Sequence, residues 1–282
     1  MKKAGIVICL VGLIIAYNIY ISYYSVDVTS YEIASDKIKN DVKIVMIGDV
    51  HDFHCKVKDK VIDKIRETEP DLILCVGDII DDHSSSDEDT LAFLSQLTGI
   101  TEVYMSPGNH EMSFYQGHRG DLRKIEEIGV HLLDQAYEDI QVNDNMLRIG
   151  GIYDYAFDLN TGKITQEAMH NNSAYRFLNE ATSTDAFLLM MAHRPDSFIF
   201  GQGCQWPIDL VLSAHLHGGQ VILPLVGGIY APDQGWFPKV DYGQYEMGNM
   251  TMIVTRGISS SDEKFPRFNN PCEIVQITLT SR

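Results

Sequence analysis

The chain has 282 residues and a formal net charge of −17, from 22 Lys and Arg against 39 Asp and Glu. Hydrophobic residues make up 45% and charged residues 22%, a composition that excludes a disordered or low-complexity chain. The acidic balance argues against a nucleic-acid surface, and an anionic substrate would need local positive charge such as bound metal. Five widely spaced cysteines, with no CxxC pair, are interpreted as small buried side chains rather than disulfides.

The first predicted element is an apolar run without charge from Ala4 to Ile21. As a helix it would rise roughly 27 Å, close to the hydrocarbon thickness of a bilayer, and the tyrosines at its end resemble an interfacial belt. We predict an uncleaved transmembrane signal anchor over residues 1–25, with a cleaved signal peptide as the alternative. Lys2 and Lys3 favour a cytoplasmic amino terminus and a single-pass cell-membrane protein whose body is extracytoplasmic.

Residues 26–282 are predicted to form one domain, because no linker rich in Pro, Gly or Ser divides them. In the first half, short apolar runs alternate with helical patterns, which indicates an α/β sheet with parallel strands. The predicted elements of this half are the strands Val42–Ile47, Leu72–Val76, Thr101–Met105 and Val130–Leu133 and the helices Asp59–Thr68, Thr90–Leu97 and Asp121–Ile128.

The second half is predicted to contain more strand, which favours a mixed or antiparallel sheet packed on the first. Its predicted elements are the strands Met146–Ile152, Ala186–Met191, Leu210–Ser213, Gln220–Leu223, Thr251–Thr255 and Glu273–Thr280 and the helix Gln166–Asn179. The segment Pro224–Gly248, rich in Gly, Pro and aromatic residues, is predicted to be a long surface loop. Trp206, Trp236 and Phe237 are candidates for an acyl or base pocket, with ordinary packing as the alternative.

Polar residues recur where predicted strands end. The segments concerned are Asp49–His51, Gly77–Asp81, Gly108–Glu111, His193 and His215–His217. Ligands of an open α/β sheet collect at the carboxyl ends of its strands. Carboxylate and imidazole donors suit Mn, Fe or Zn, and the lack of thiolates disfavours a structural zinc site. These side chains suffice for two divalent metal ions about 3.5–4 Å apart that share one carboxylate.

These segments read DVH, GDIID, GNHE, a lone His and AHLH. They resemble, in order, the DxH, GDxxD, GNH[DE], H and GHxH blocks of the calcineurin-like metallophosphoesterases. The stretch from Thr255 to Leu279 resembles the tail of the membrane-anchored bacterial branch, which includes phosphodiesterases and UDP-diacylglucosamine pyrophosphatases. The resemblance implies an α/β fold, a four-layer α/β/β/α sandwich of two mixed sheets, after the N-terminal transmembrane helix.

The resemblance also implies a role for each matching residue. The metal ligands would be Asp49, His51 and His217 for the first ion, Asn109, His193 and His215 for the second, and Asp78 bridging both. His110 would contact the phosphate and protonate the leaving oxygen as the catalytic residue, and Asn109 would also bind substrate. Arg194 is a candidate phosphate contact because it follows a predicted ligand, and Arg256 is a weaker one.

Three departures from the family pattern are visible. Gly48 stands where many relatives have Ser, Ala214 replaces the Gly of GHxH, and Glu111 stands where Asp is commoner. Because no predicted ligand is missing, we expect an active enzyme. Asp81 and Asp82 are candidates for partners of a ligand histidine, with turn or cap formation as the alternative.

The expected function is hydrolysis of a phosphodiester or pyrophosphate bond by a metal-bridging hydroxide. The substrate is a phosphate ester, and a lipid-linked or cell-envelope ester is one expectation, because the anchor would hold the site near the bilayer. The alternatives are a phosphomonoesterase and a metal-binding envelope scaffold without turnover. The natural substrate, the choice among Mn, Fe and Zn, and the oligomeric state stay open.

Overall fold

The structure is a computed structural model that describes residues 2–52, 54–117, 120–153, 172–199, 206–260 and 264–282. It begins with helix α1, Lys2–Tyr24, whose apolar side chains are almost entirely exposed. By length and composition this helix can cross a membrane, as predicted. Apolar side chains facing outward on all sides of a helix are typical of one that lies in lipid.

The first sheet holds six strands in the order β1-β16-β2-β3-β4-β5. Their bounds are β1 Val26–Ser35, β2 Val42–Ile47, β3 Leu72–Val76, β4 Glu102–Ser106, β5 Val130–Leu132 and β16 Cys272–Ser281. All neighbours are parallel except β16 and β2. Strand β1 is not among the predicted elements, because polar residues interrupt its apolar ones and it lies at the edge of the sheet.

The second sheet holds six strands in the order β14-β15-β9-β8-β7-β6. Their bounds are β6 Ala136–Val142, β7 Asn145–Ile152, β8 Phe187–Ala192, β9 Leu210–Ser213, β14 Gly243–Met247 and β15 Met250–Val254. The four central strands are parallel and both edge strands are antiparallel. This sheet is mixed, as predicted, and its parallel centre brings the ends of β8 and β9 to one edge.

Helices cover the outer face of each sheet. Their bounds are α2 Lys58–Thr68, α3 Glu88–Thr98, α4 Asn109–Gln116, α5 Arg123–Glu127, α6 Ser173–Ala181 and α7 Asp196–Ile199. Helix α2 buries Val61, Ile62 and Ile65 on one face, the spacing that predicts it. Helix α6 begins after Asn172, whose side chain accepts a hydrogen bond from the Tyr175 N–H. It continues to Ala181, beyond the predicted end, and residues 166–171 of the prediction lie outside the described residues.

Three apolar cores separate the layers. One lies between the two sheets and includes Ile44, Leu74, Leu189 and Leu212. The others lie between each sheet and its helices. Three cores between four layers make the α/β/β/α sandwich that the family resemblance implies.

The prediction of one long surface loop from Pro224 to Gly248 is wrong, because this segment contains short strands. The segment takes part in two small hairpins, β10 Ile222–Leu223 with β11 Gly227–Gly228, and β12 Tyr230–Ala231 with β13 Gly235–Trp236, before β14 begins. Gly227 and Gly235 adopt positive φ angles at the turns, which glycine does without steric cost. Two-residue strands carry too little periodicity for a sequence pattern to detect.

The end of α1 is hydrogen-bonded to the domain. The Ser22 Oγ accepts from the Asn270 N–H at 3.1 Å, and the Tyr23 hydroxyl accepts from the Arg267 N–H at 3.1 Å. Arg267 is itself fully buried, and its guanidinium donates to the carbonyls of Gly257 and Ser259. The anchor is therefore joined to loops that reach the site described next.

Candidate metal centre

The predicted ligands converge at one edge of the sandwich. Strand β2 leads to Asp49 and His51, β3 to Asp78, and β4 to Asn109. In the second sheet, β8 leads to His193, and His215 and His217 follow β9. Because the carboxyl ends of parallel strands meet at one edge, residues more than a hundred positions apart lie together.

Ligand atoms gather in three overlapping clusters, in each of which they lie within 4.8 Å of one another. The clusters are Asp49, His51 and His217; His51, Asp78 and His110; and Asp78, His193 and His215. Asp78 belongs to two of them. One Asp78 oxygen lies 2.9 Å from the His193 Nε2, and the other accepts from the His110 N–H at 2.8 Å. A carboxylate in this position can serve two ions.

The backbone at these positions is strained. Five of the seven predicted metal ligands have φ angles between 45° and 70°, in the left-handed region: Asp49, His51, Asp78, His215 and His217. Such conformations cost on the order of 1–3 kcal/mol each and persist where the surroundings demand them. Their concentration at one place is typical of a functional site.

Close packing of glycines lets the ligand loops approach one another. A Cβ on Gly77 would lie 2.7 Å from the His193 Nδ1, and a Cβ on Gly108 would overlap an Asp78 oxygen. A Cβ on Gly48 would lie 2.9 Å from the Cβ of Ala214. Gly48 and Ala214, the first two departures from the family pattern, therefore face each other. Because Gly48 has no side chain, the Ala214 methyl group can occupy the space between them.

Hydrogen bonds fix the orientation of the ligand histidines. The His193 Nδ1 donates to the Val76 carbonyl at 2.8 Å, which leaves Nε2 facing Asp78. The His215 Nε2 donates to Asp233 at 2.8 Å, and the His217 Nδ1 donates to the Ser259 carbonyl at 3.2 Å. Partners of this kind hold the ring and tautomer that a metal ligand needs.

Burial and charge shift the acid–base equilibria of the site. Burial is the largest influence on the pKa of Asp78 and would raise it, but the charge and hydrogen bond of His193 and the charges of His110 and His51 together hold this pKa well below its usual range. Burial would likewise lower the pKa of His193, but the charge and hydrogen bond of Asp78, with the charge of Asp49, together raise it to about 9. Burial raises the pKa of Asp49 to about 7 and lowers that of His215 to about 4. Carboxylates this deeply buried are costly unless cations compensate them.

Buried polar atoms of these residues lack hydrogen-bond partners among the described residues. They include the Asn109 Oδ1 and the His51 Nε2. An unpartnered buried donor or acceptor costs about 1–3 kcal/mol, so native structures keep such atoms only for a reason. Oxygen and imidazole donors of this type suit Mn, Fe or Zn. The residues present therefore fit a pair of divalent metal ions.

Glu111 binds the main chain of the two ligand loops. Its buried carboxylate accepts from four backbone N–H groups at 2.7–3.0 Å, those of Gly108, Asp78, Ile79 and Ile80. Because Asp78 and Asn109 lie on these two loops, Glu111 sets the distance between two predicted ligands.

Asp81 and Asp82 do lie beside histidines. The Asp81 Oδ2 is fully buried 3.2 Å from the His51 Nδ1. The His110 Nδ1 lies 3.2 Å from the Asp82 Oδ1 and accepts from the Asp82 N–H at 3.0 Å. Asp81, Asp82 and His83 also form a separate ligand cluster, which is partly exposed.

Arg194 lies at the rim of the site, 3.5 Å from Asp233, which also contacts His215. Arg256 is engaged elsewhere, because its guanidinium donates to Glu273 at 3.1 Å. Sequence reasoning did not identify Asp233 or Arg267. Asp233 lies in a turn with no recognisable motif, and a single arginine near the end of a chain gives no sign of burial.

A family model for calcineurin-like phosphoesterases matches residues 42–219. The chain is 25% identical to an uncharacterized metallophosphoesterase of Campylobacter jejuni, over 95% of this chain and 69% of that protein. It is 28% identical to another of Bacillus subtilis, over 94% and 89% of the two chains. It is 23% identical to a transmembrane protein with a metallophosphoesterase domain of Danio rerio, over 69% and 45%.

The matched region contains every predicted metal ligand and His110. Membership of this family implies a metal-dependent phosphoester hydrolase with a dinuclear site, and α1 together with the relatives named as transmembrane indicates a membrane protein. The chain belongs to the calcineurin-like phosphoesterase family.

Proposed function

We propose that the protein hydrolyses a phosphodiester or pyrophosphate bond, using two divalent ions held by the three clusters. The overlap of these clusters carries the proposal, since two of them share Asp78 and two share His51. We assign Asp49, His51 and His217 to the first ion, Asn109, His193 and His215 to the second, and Asp78 to both. The unpartnered Asn109 Oδ1 supports the assignment of Asn109 to the second ion.

When bound, the two ions would activate water for attack on phosphorus and neutralise charge that develops on the phosphoryl oxygens. The protein's own residues position the reacting groups. Glu111 fixes the loop that carries Asp78 relative to the loop that carries Asn109. Arg194 supplies a cation at the rim that can pair with a substrate phosphate.

His110 is proposed as the general acid that protonates the leaving oxygen. Its main-chain N–H is bound to Asp78, and its Nδ1 lies 3.2 Å from one Asp82 oxygen and 3.7 Å from one Asp81 oxygen. Because Nδ1 is held by Asp82, we assign the proton that is transferred to the leaving oxygen to Nε2. The ring is only partly buried and can reach a substrate.

The domain boundary and membrane orientation belong to the same proposal. We assign residues 1–25 to the anchor and 26–282 to the catalytic domain, facing the extracytoplasmic side. The bonds from Ser22 and Tyr23 to the domain support retention of the anchor rather than its cleavage. Reporters fused after Arg282 test the orientation, and activity of a cytoplasm-only reporter there would reverse it.

Hydrolysis of bis-(p-nitrophenyl) phosphate by the full chain with Mn²⁺ tests the activity. Asp78→Ala should abolish turnover, and His110→Ala should lower kcat by about 10²–10⁴-fold. His131→Ala is the matched control, because His131 stacks on Tyr104 away from the site and should keep wild-type activity. A preparation without turnover would favour the non-catalytic scaffold.

Comparison with p-nitrophenyl phosphate tests the bond type. Faster hydrolysis of this monoester than of the diester would favour the phosphomonoesterase. A lipid-linked diester or pyrophosphate, supplied in vesicles, tests the substrate class that the anchor suggests. Full activity of His110→Ala beside an inactive Asp78→Ala would refute the general acid.

A further inference from the structure

One surface segment outside α1 carries most of the exposed large apolar side chains. Among the described residues beyond the anchor, seven such side chains are exposed, and five of them lie between positions 223 and 237. They are Leu223, Leu225, Val226, Trp236 and Phe237, with exposed fractions of 38%, 107%, 56%, 55% and 64%. The sequence from Gly218 to Pro232 carries no charge. We call these five side chains the 223–237 surface.

The small hairpins hold this surface outward. Strands β10 and β11 place Leu225 and Val226 in the turn between them. The Trp236 ring packs at 5.6 Å from the Tyr230 ring and at 5.4 Å from the Phe265 ring, measured between centroids. Its exposed edge therefore points outward from a packed aromatic base. Contiguous apolar side chains in water are costly, and such patches mark contact surfaces.

The same segment is connected to the end of the membrane helix. The Ile222 N–H donates to the Phe268 carbonyl at 3.0 Å, and the Phe268 N–H donates to the Gln220 carbonyl at 3.1 Å. Two residues further along, the Asn270 N–H donates to Ser22 in α1. Leu225 lies three residues beyond Ile222, at most about 10 Å along the chain. The surface is thus attached to the end of α1 where its tyrosines lie.

We propose that the 223–237 surface inserts into the interfacial region of the bilayer that α1 spans. Continuity with the end of α1 identifies the bilayer as the partner. Tryptophan is favoured at the boundary between acyl chains and headgroups, and the Lys264 Nζ, 5.5 Å from the Trp236 ring centroid, is suited to lipid phosphates. An apolar surface beside a helical anchor adds a second membrane contact of the kind that fixes orientation.

This contact would hold the metal centre at the headgroup level. Asp233 belongs to the segment between Val226 and Trp236, and its carboxylate lies 2.8 Å from the His215 Nε2. Asp233 therefore connects the rim of the site to the 223–237 surface. A phosphate ester could then reach the site while its acyl chains stay in the bilayer. The proposed membrane contact does not depend on which phosphate bond the site hydrolyses.

Fluorescence quenching by lipid tests the proposal without any measurement of activity. The full chain carries two tryptophans, so Trp206→Phe leaves Trp236 as the reporter. In phosphatidylcholine vesicles with bromine on the acyl chains near the headgroup, its fluorescence should fall about twofold relative to unbrominated vesicles. The matched control is Met146→Trp with both native tryptophans replaced by Phe, since Met146 is 52% exposed and is no part of this surface.

Vesicle flotation first confirms that the chain is inserted. Equal Trp236 fluorescence in brominated and unbrominated vesicles would then overturn the proposal, as would equal quenching of the control reporter. Leu225→Asp with Val226→Asp should abolish the quenching at Trp236, because charges do not enter the acyl region. Both side chains are exposed, so this variant should fold, and quenching that persists in it would also contradict the proposal.

Discussion

Gly48 and Ala214 give the sharpest test of the packing beneath the metal centre. A Cβ added to Gly48 would lie 2.9 Å from the Ala214 Cβ, whereas carbon atoms prefer about 3.5–4.0 Å. Both positions are fully buried between strand ends that carry ligands. Gly48→Ala should therefore destabilise the protein by overpacking.

The magnitudes follow from this distance. Overpacking by one methyl group costs about 1–3 kcal/mol, and Ala214→Gly should cost about 1 kcal/mol for the lost methyl. In the double variant the clash is absent, so its destabilisation should be smaller than the sum of the two single effects by about 1–3 kcal/mol. The coupling should have this sign because each substitution relieves the defect of the other.

Denaturant unfolding of the metal-free full chain in detergent measures the four free energies of the cycle. Gly99→Ala is the control, because its Cβ would lie 3.4 Å from the nearest atom, a carbonyl oxygen, at a negative φ. Its effect should stay within about 1 kcal/mol. Additive single effects within about 0.5 kcal/mol would refute the steric reasoning.

Three further predictions concern buried charge. Glu111→Gln should destabilise the protein by about 2–6 kcal/mol in the same unfolding assay, because an amide has one acceptor oxygen and leaves two of the four N–H groups unpaired; wild-type stability would contradict this. Arg267→Met should cost about 3–5 kcal/mol and increase proteolysis at the junction with α1, because buried carbonyls lose their donor; an unchanged digestion pattern would count against it. Burial, followed by the charge of Asp233, raises the pKa of Asp196 to about 7, so folding stability falls as pH rises from about 4 to 7. Asp196→Asn removes this loss of stability. The melting temperature of the variant minus that of the wild type should therefore increase from about pH 5 to pH 8. A difference that stays constant over this range would refute the raised pKa of Asp196.

Much of the fold could be predicted because the inner strands are continuous apolar runs. Strands β2, β3 and β4 are each followed by a short polar motif, so their place in the sheet also predicts where Asp49, Asp78 and Asn109 meet. Strand β1 could not be predicted, because an edge strand needs no such run. Its position depends on pairing with β16, which only the folded chain shows.

The supporting parts of the site depend on contacts that no local pattern encodes. Asp233 lies in the turn between β12 and β13, and only this hairpin brings it to His215. Arg267 is buried because two stretches of the chain, residues 256–259 and 270–271, direct carbonyls at it. Glu111 shows the difference most clearly: its motif predicts the position, but only tertiary structure shows that backbone N–H groups surround it.

The place of β16 in the first sheet has a consequence for biosynthesis. It lies between β1 and β2, and it pairs with β1 along its whole length, yet it follows β2 by about 230 residues. During translation β1 and β2 are made early, but the strand that pairs with both of them, β16, is made last. The first sheet therefore cannot be completed until synthesis has passed β16.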